Sequence, residues 1–192
     1  MKRYDKYKIR RRLFFSILIV GIAVLFLWRI GTFHTQRAES YICPEFEGLE
    51  FPLSSEVILS HPECSLDGIF VHSRLVPTSH IKNKSVGPYQ IYVSFYSIDK
   101  RKQVLLKDVI ILENNNETSI FMKAENEGWE KTFNAIFYHL YTSKQAYSLD
   151  FKSKNKVLLK VRVCILDGDI ITEDTIEFEF QPKLISEWVP VV

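Results

Sequence analysis

Catalytic signatures are the first thing this sequence lacks. It holds no G-x-S-x-G elbow, no phosphate-binding loop and no G-x-G-x-x-G turn, so no local segment is shaped to hold a serine nucleophile, a nucleotide phosphate or a dinucleotide. Cysteine is scarce. The three residues, Cys43, Cys64 and Cys164, form no Cys-x-x-Cys pair and no Cys/His cluster at zinc spacing, which argues against a metal site. Asp167 and Asp169 flank Gly168, yet Ile170 and Ile171 stand where a calcium loop needs oxygen ligands. The five histidines, His34, His61, His72, His80 and His139, are scattered and read as surface or hydrogen-bonded residues. Internal repeats and low-complexity tracts are also missing.

Basic charge is concentrated in one place. Residues 1–12 carry seven bases and one acid; setting these and Arg29 aside leaves 17 bases and 22 acids, a net of −5. The overall pI of about 8.3 therefore describes neither part. A mildly acidic main body lacks the basic patch that phosphate binding needs, so nucleic acid is not an expected partner.

The chain has one long apolar run. Leu13–Trp28 is 16 uncharged residues, interrupted only by Ser16 and Gly21, and as a helix would rise about 24 Å. With Arg29 reaching back toward the headgroups, Ile30 and Phe33 extend the run to roughly 21 residues, enough to span a bilayer. The basic flank precedes the run and acids follow it, so the positive-inside rule predicts a cytoplasmic N-terminus. A cleaved signal is the alternative, but neither Gly31-Thr32 nor Ala38 sits in an A-x-A pattern. The expected organisation is a basic cytoplasmic arm at 1–12, a transmembrane signal-anchor at 13–33 that contacts the lipid bilayer, a linker at 34–50, and a β-rich extracytoplasmic domain at 51–192. That domain would lie in the periplasm or the extracellular space, carried by the inner or plasma membrane.

Strand signals dominate the main body. They fall at 56–60, 68–76, 89–98, 103–112, 118–123, 156–166 and 175–180. In 89–98, Ile91, Val93 and Phe95 share one face; Gln90, Tyr92, Ser94 and Tyr96 share the other. In 156–166, Val157, Leu159, Val161, Val163 and Ile165 line one face, and a turn at 167–169 leads to Ile176, Phe178 and Phe180 pointing inward with Glu177 and Glu179 outward. One segment breaks the rhythm. Apolar residues at 129, 133, 136, 137, 140 and 141 follow helical spacing, which predicts an amphipathic helix over 127–142, capped by Asn126. The expected fold is mainly β: an antiparallel β-sandwich, Ig-like or related, with this one inserted helix and a single N-terminal transmembrane helix before it.

Cys43 and Cys64 lie 21 positions apart. In an oxidising compartment they are the expected disulfide, worth about 3 kcal/mol in the chain-entropy account. Cys164 then stays unpaired; pairings with it, or three free thiols, remain open. Tyr92 and Tyr96 on one strand face, and Trp188 in the apolar terminus "SEWVPVV", are the candidate interaction residues. With no catalytic residue, cofactor or metal ligand in view, the chain is expected not to be an enzyme. It reads as a membrane-anchored protein-binding module with an unknown protein partner, such as an accessory subunit of an envelope complex or a toxin-neutralising immunity protein. Two other readings stay open. One is a domain binding a small ligand or glycan. The other is an envelope enzyme assembled from distant residues such as His61, Glu63, His72 and Asp167.

Overall fold

The computed structural model describes residues 2–29, 33–49, 53–82, 84–132, 136–151 and 156–190, with side chains described over 13–26, 36–49, 53–82, 84–132, 136–151 and 156–186. The chain divides into two units, Met1–Arg37 with Ser186–Val192, and Ala38–Ile185. The first contains helix α1, Lys2–Arg29. Its described side chains, Leu13–Phe26, are exposed, and over that length the helix rises about 21 Å. Among the described residues no helix is long and apolar enough to cross a membrane. The flanks of the expected anchor, Trp28–Phe33, lie outside the described side chains.

The second unit is built from antiparallel strands, two of which, β1 and β11, have their outer ends in the first unit. In chain order they are β1 (Phe33–Ile42), β2 (Ser65–Leu66), β3 (Ile69–Ile81), β4 (Lys84–Ser97), β5 (Gln103–Glu113), β6 (Asn116–Ile120), β7 (Met122–Ala124), β8 (Glu130–Lys131), β9 (Phe137–Ser143), β10 (Val157–Asp167) and β11 (Ile170–Pro190). The hydrogen-bonded path runs β6-β5-β10-β11-β1-β3-β4-β9-β7, with β2 on β3 and β8 on β9. The two ends of this path, β6 and β7, are separated in the chain by Phe121 alone, so the sheet nearly closes into a barrel.

Turn chemistry sets the registers. Asp67 and Gly68, with φ of 47° and 76°, join β2 to β3, and Asn114 and Asn115, at 53° and 65°, join β5 to β6. Two successive positive-φ residues make the turn whose twist matches its strands, and Asp, Asn and Gly adopt it at the least cost. Gly168, at φ 61°, opens the expected turn between β10 and β11, where Asp167 pairs with Ile170.

Alternation then decides the core. Val157, Leu159, Val161, Val163 and Ile165 on β10 are buried, as are Ile176, Phe178 and Phe180 on β11 and Tyr89, Ile91, Val93 and Phe95 on β4. The opposite face of β10 and β11 is solvated and laced by ion pairs. Lys160 lies 3.0 Å from Glu177, Lys156 2.7 Å from Glu179, and Arg162 pairs with Asp108. Such pairs each contribute little, but they keep that face in water.

Three expectations fail. Residues 127–142 do not form a helix: β8 and β9 occupy the segment on either side of residues 133–135, which lie outside the description. The helical stripe is a coincidence of aromatics on both faces of β9. Phe137, His139 and Tyr141 alternate with Tyr138 and Leu140 along it, so neither face is purely polar. The segment at 56–60 is helical, within α2 (Ser55–Ser60), because the Ser54 hydroxyl accepts the Val57 amide at 3.3 Å as an N-cap. The stretch read as a linker contains β1, whose Tyr41 is buried in the core together with Cys43 just beyond the strand.

Candidate functional site

β1 enters the sheet between β11 and β3, with Tyr41 opposite Leu75, and ends at Ile42. Beyond its end, β11 and β3 leave a seam. Phe46, at the end of the 3-10 turn Pro44–Phe46, fills it. Its ring centroid is 4.5 Å from that of His72, 5.0 Å from Phe178 and 6.3 Å from Phe70. Proline at 44 favours this turn because its fixed φ and missing N–H suit a first helical position.

Beside Phe46 the seam holds a cavity of about 320 Å³, lined by Ser40–Cys43 of β1 and the residue after it, His72–Pro77 of β3, and Phe180 of β11. Among the described residues no carboxylate lines it. Burial, reinforced by the nearby Arg74 charge, lowers the His72 pKa to about 3, so this imidazole is neutral at physiological pH. The hydroxyls of Tyr41 and Ser73 both lack a hydrogen-bond partner, although the residues are only 3% and 1% exposed. Burial first, then the charges of Glu113, Asp150 and Glu39, push the Tyr41 phenol up to about 12.

Arg74 connects the cavity to the neighbouring face of β3, β4 and β9. Its guanidinium lies 5.6 Å from the centroid of the Tyr92 ring, directly opposite it in register. Along the same face Tyr96 sits opposite Phe70 and next to Tyr138. Tyr92, Tyr96 and Tyr138 are each half-buried, with Tyr96 packed against the Phe70 ring at 6.3 Å. The face is therefore split. Its Phe70–His72 end is core, and its Arg74–Tyr92 end reaches solvent.

The other candidates fall elsewhere. Trp188 lies on β11 outside the described side chains. All three cysteines are buried free thiols in this structure, so the expected Cys43–Cys64 bridge is not formed here. Both thiols belong to one core cluster. Burial and a hydrogen bond from Cys43 Sγ to Glu45 Oε2, 2.8 Å long, push the Cys43 pKa far above its ordinary range. Burial, with Glu63 and Glu45 nearby, raises that of Cys64 to about 12. Neither is a thiolate nucleophile at neutral pH.

His61 caps α2, with Nδ1 3.0 Å from the Val57 carbonyl oxygen. Glu63 is exposed in the next turn. Asp167 sits at the β10–β11 turn, 3.7 Å from Lys102. These groups and His72 are placed on separate elements. Among the described residues no group of three His, Cys, Asp or Glu could hold a metal ion.

Sequence reasoning passed over Arg74, Tyr41 and Phe46. Phe46 stood in an apparent linker, and nothing local marks an arginine that will lie over a tyrosine one strand away.

No protein-family model matches the chain, and no curated protein matches it. Among solved structures it is matched to the CooA pilin subunit of enterotoxigenic Escherichia coli, at 8% identity and a TM-score of 0.25, covering 56% of this chain and 94% of that one. A likeness that weak carries no argument about fold or function.

Proposed function

We propose that this chain is a non-enzymatic binding module for a protein partner, held at a membrane by its N-terminal segment. The observation that carries the reading is the row formed by Arg74, Tyr92, Tyr96 and Tyr138 on one sheet face. Tyrosine and arginine are enriched among the residues that dominate the energetics of protein interfaces; tyrosine presents a large rigid surface with a polar end, and arginine a planar fork of five donors. Arg74 already lies against Tyr92 in the unbound chain, 5.6 Å from its ring centroid. Trp188 is a further contact residue in this reading.

The membrane component rests on the basic residues 2–12, the apolar exposed side chains of Leu13–Phe26 and the run that continues to Phe33 in the sequence. Residues 13–33 lie in the bilayer, the N-terminus is cytoplasmic, and the β-rich unit is in the periplasm or outside the cell. We read that unit as an Ig-like sandwich, with the β3–β4–β9 layer facing the β5–β10–β11 layer. An accessory subunit of an envelope complex or an immunity protein fits these properties.

The test is quantitative capture from native membranes by the full-length protein, compared with a Tyr92→Ala/Tyr96→Ala variant of matched circular dichroism. A stoichiometric partner that the variant loses is the expected result; equal recovery by both proteins removes the tyrosine face from the reading. Location has its own check. In an oxidising compartment the Cys43 and Cys64 thiols are expected to close into a disulfide, so protein recovered under non-reducing conditions and denatured should titrate with one thiol. Three thiols would place the unit in a reducing compartment.

A further inference from the structure

We propose that the seam cavity binds a small amphipathic anion, an apolar body with a carboxylate-type head held at Arg74. The inference concerns the cavity alone and does not depend on the protein-binding reading.

Three observations lead to it. The volume, about 320 Å³, falls at the lower end of small-molecule sites, which span roughly 300–1,000 Å³. The lining is mostly apolar, with Phe46, Phe180 and Leu75 forming the greasy wall, so the ligand body must be apolar too.

The charge pattern selects the head group. Arg74 is the cation of the lining, exposed and without an ion pair among the described residues. His72 beside it is neutral, and no carboxylate is among the described residues that line the space. A guanidinium forks two N–H groups toward a planar oxyanion, and that of Arg74 lies 5.6 Å from the centroid of the Tyr92 ring. A cation or a dication would meet Arg74 as a like charge, and a fully polar ligand would leave the Phe46–Phe180 wall unsatisfied.

The experiment uses the full-length protein in phosphatidylcholine nanodiscs, titrated by calorimetry. The probes are 4-phenylbutyrate, its neutral amide and 4-phenylbutylamine, with empty nanodiscs subtracted. Saturable binding of the carboxylate is expected, with the amide at least fivefold weaker and the amine without measurable binding. Arg74→Gln should weaken the carboxylate at least fivefold and leave the amide unchanged. Val76→Phe, which adds a ring at a half-exposed lining position, should abolish both. Tyr138→Ala, on the proposed protein-binding row and outside the cavity lining, should bind the carboxylate as the parent does, which separates failure of this proposal from failure of the protein-binding one. Absence of saturable carboxylate binding, equal affinity for the three probes, or an Arg74→Gln variant that binds the carboxylate as the parent does would each overturn the assignment.

Discussion

His72 is neutral inside the seam because charging it would place a cation against Phe46 and near Arg74. Its folded-state pKa of about 3 lies below the ordinary value near 6.5. In that window the unfolded chain takes up a proton that the folded one refuses. The contribution of this group to stability is therefore complete above pH 6.5 and is lost as the pH falls toward 3, at up to about 1.4 kcal/mol per pH unit. His139, also buried and shifted down mainly by burial, acts in the same direction. Urea midpoints measured from pH 7 to pH 4 should fall more steeply for the parent than for His72→Phe; parallel curves would mean His72 is solvated. Gly87 offers a second test. A Cβ added there would meet the Tyr89 ring at 2.7 Å, and Tyr89 is fully buried, so the ring has nowhere to retreat. Gly87→Ala should lower the unfolding free energy by about 1–3 kcal/mol, as overpacked cores do, read from chemical denaturation.

Asn126 shows how an element can be misread while its key residue is correctly noticed. The sequence marks it as a helix cap. In the structure it performs a related task on a strand: its side-chain oxygen accepts the Leu140 amide at 2.8 Å, and its side-chain nitrogen donates to the carbonyls of Gly128 and Tyr138. It serves as a hydrogen-bond partner for β9 between β7 and β8. Asn126→Ala leaves the Leu140 amide without this bond and should cost about 1–3 kcal/mol, whereas Asn126→Asp, which keeps the acceptor, should cost less. Amide exchange at Leu140 reports the same bond directly.

The elements that were legible share one property. β10, β11 and the second half of β4 have one buried face and one polar or mixed face, so period-2 alternation survives in the sequence. β9 is aromatic on both faces, and β1 is polar along most of its length, burying Tyr41 near its end with Cys43 just after it; neither leaves an alternating trace. The candidate site was half legible for the same reason. Tyr92 and Tyr96 stand out on an alternating strand, but the cavity beside them depends on β1 ending between β11 and β3, a non-local fact.

At the scale of the whole molecule, Phe121 occupies an unusual place. Its amide donates to the Tyr147 hydroxyl at 3.3 Å and its carbonyl accepts the Lys144 amide at 2.7 Å, while its side chain is 69% exposed. On one side of it the chain pairs with β5, on the other with β9. An open sheet can fray from either margin independently. Here the two margins are successive residues of one ribbon, so loosening either pulls on the other, and partial opening should be suppressed in favour of cooperative loss of both. Native-state hydrogen exchange should give the hydrogen-bonded amides of β6 and β7 the same opening free energy and the same response to urea. Cleavage of the chain at Phe121 should divide them into two margins that exchange at different rates, turning one all-or-none event into two.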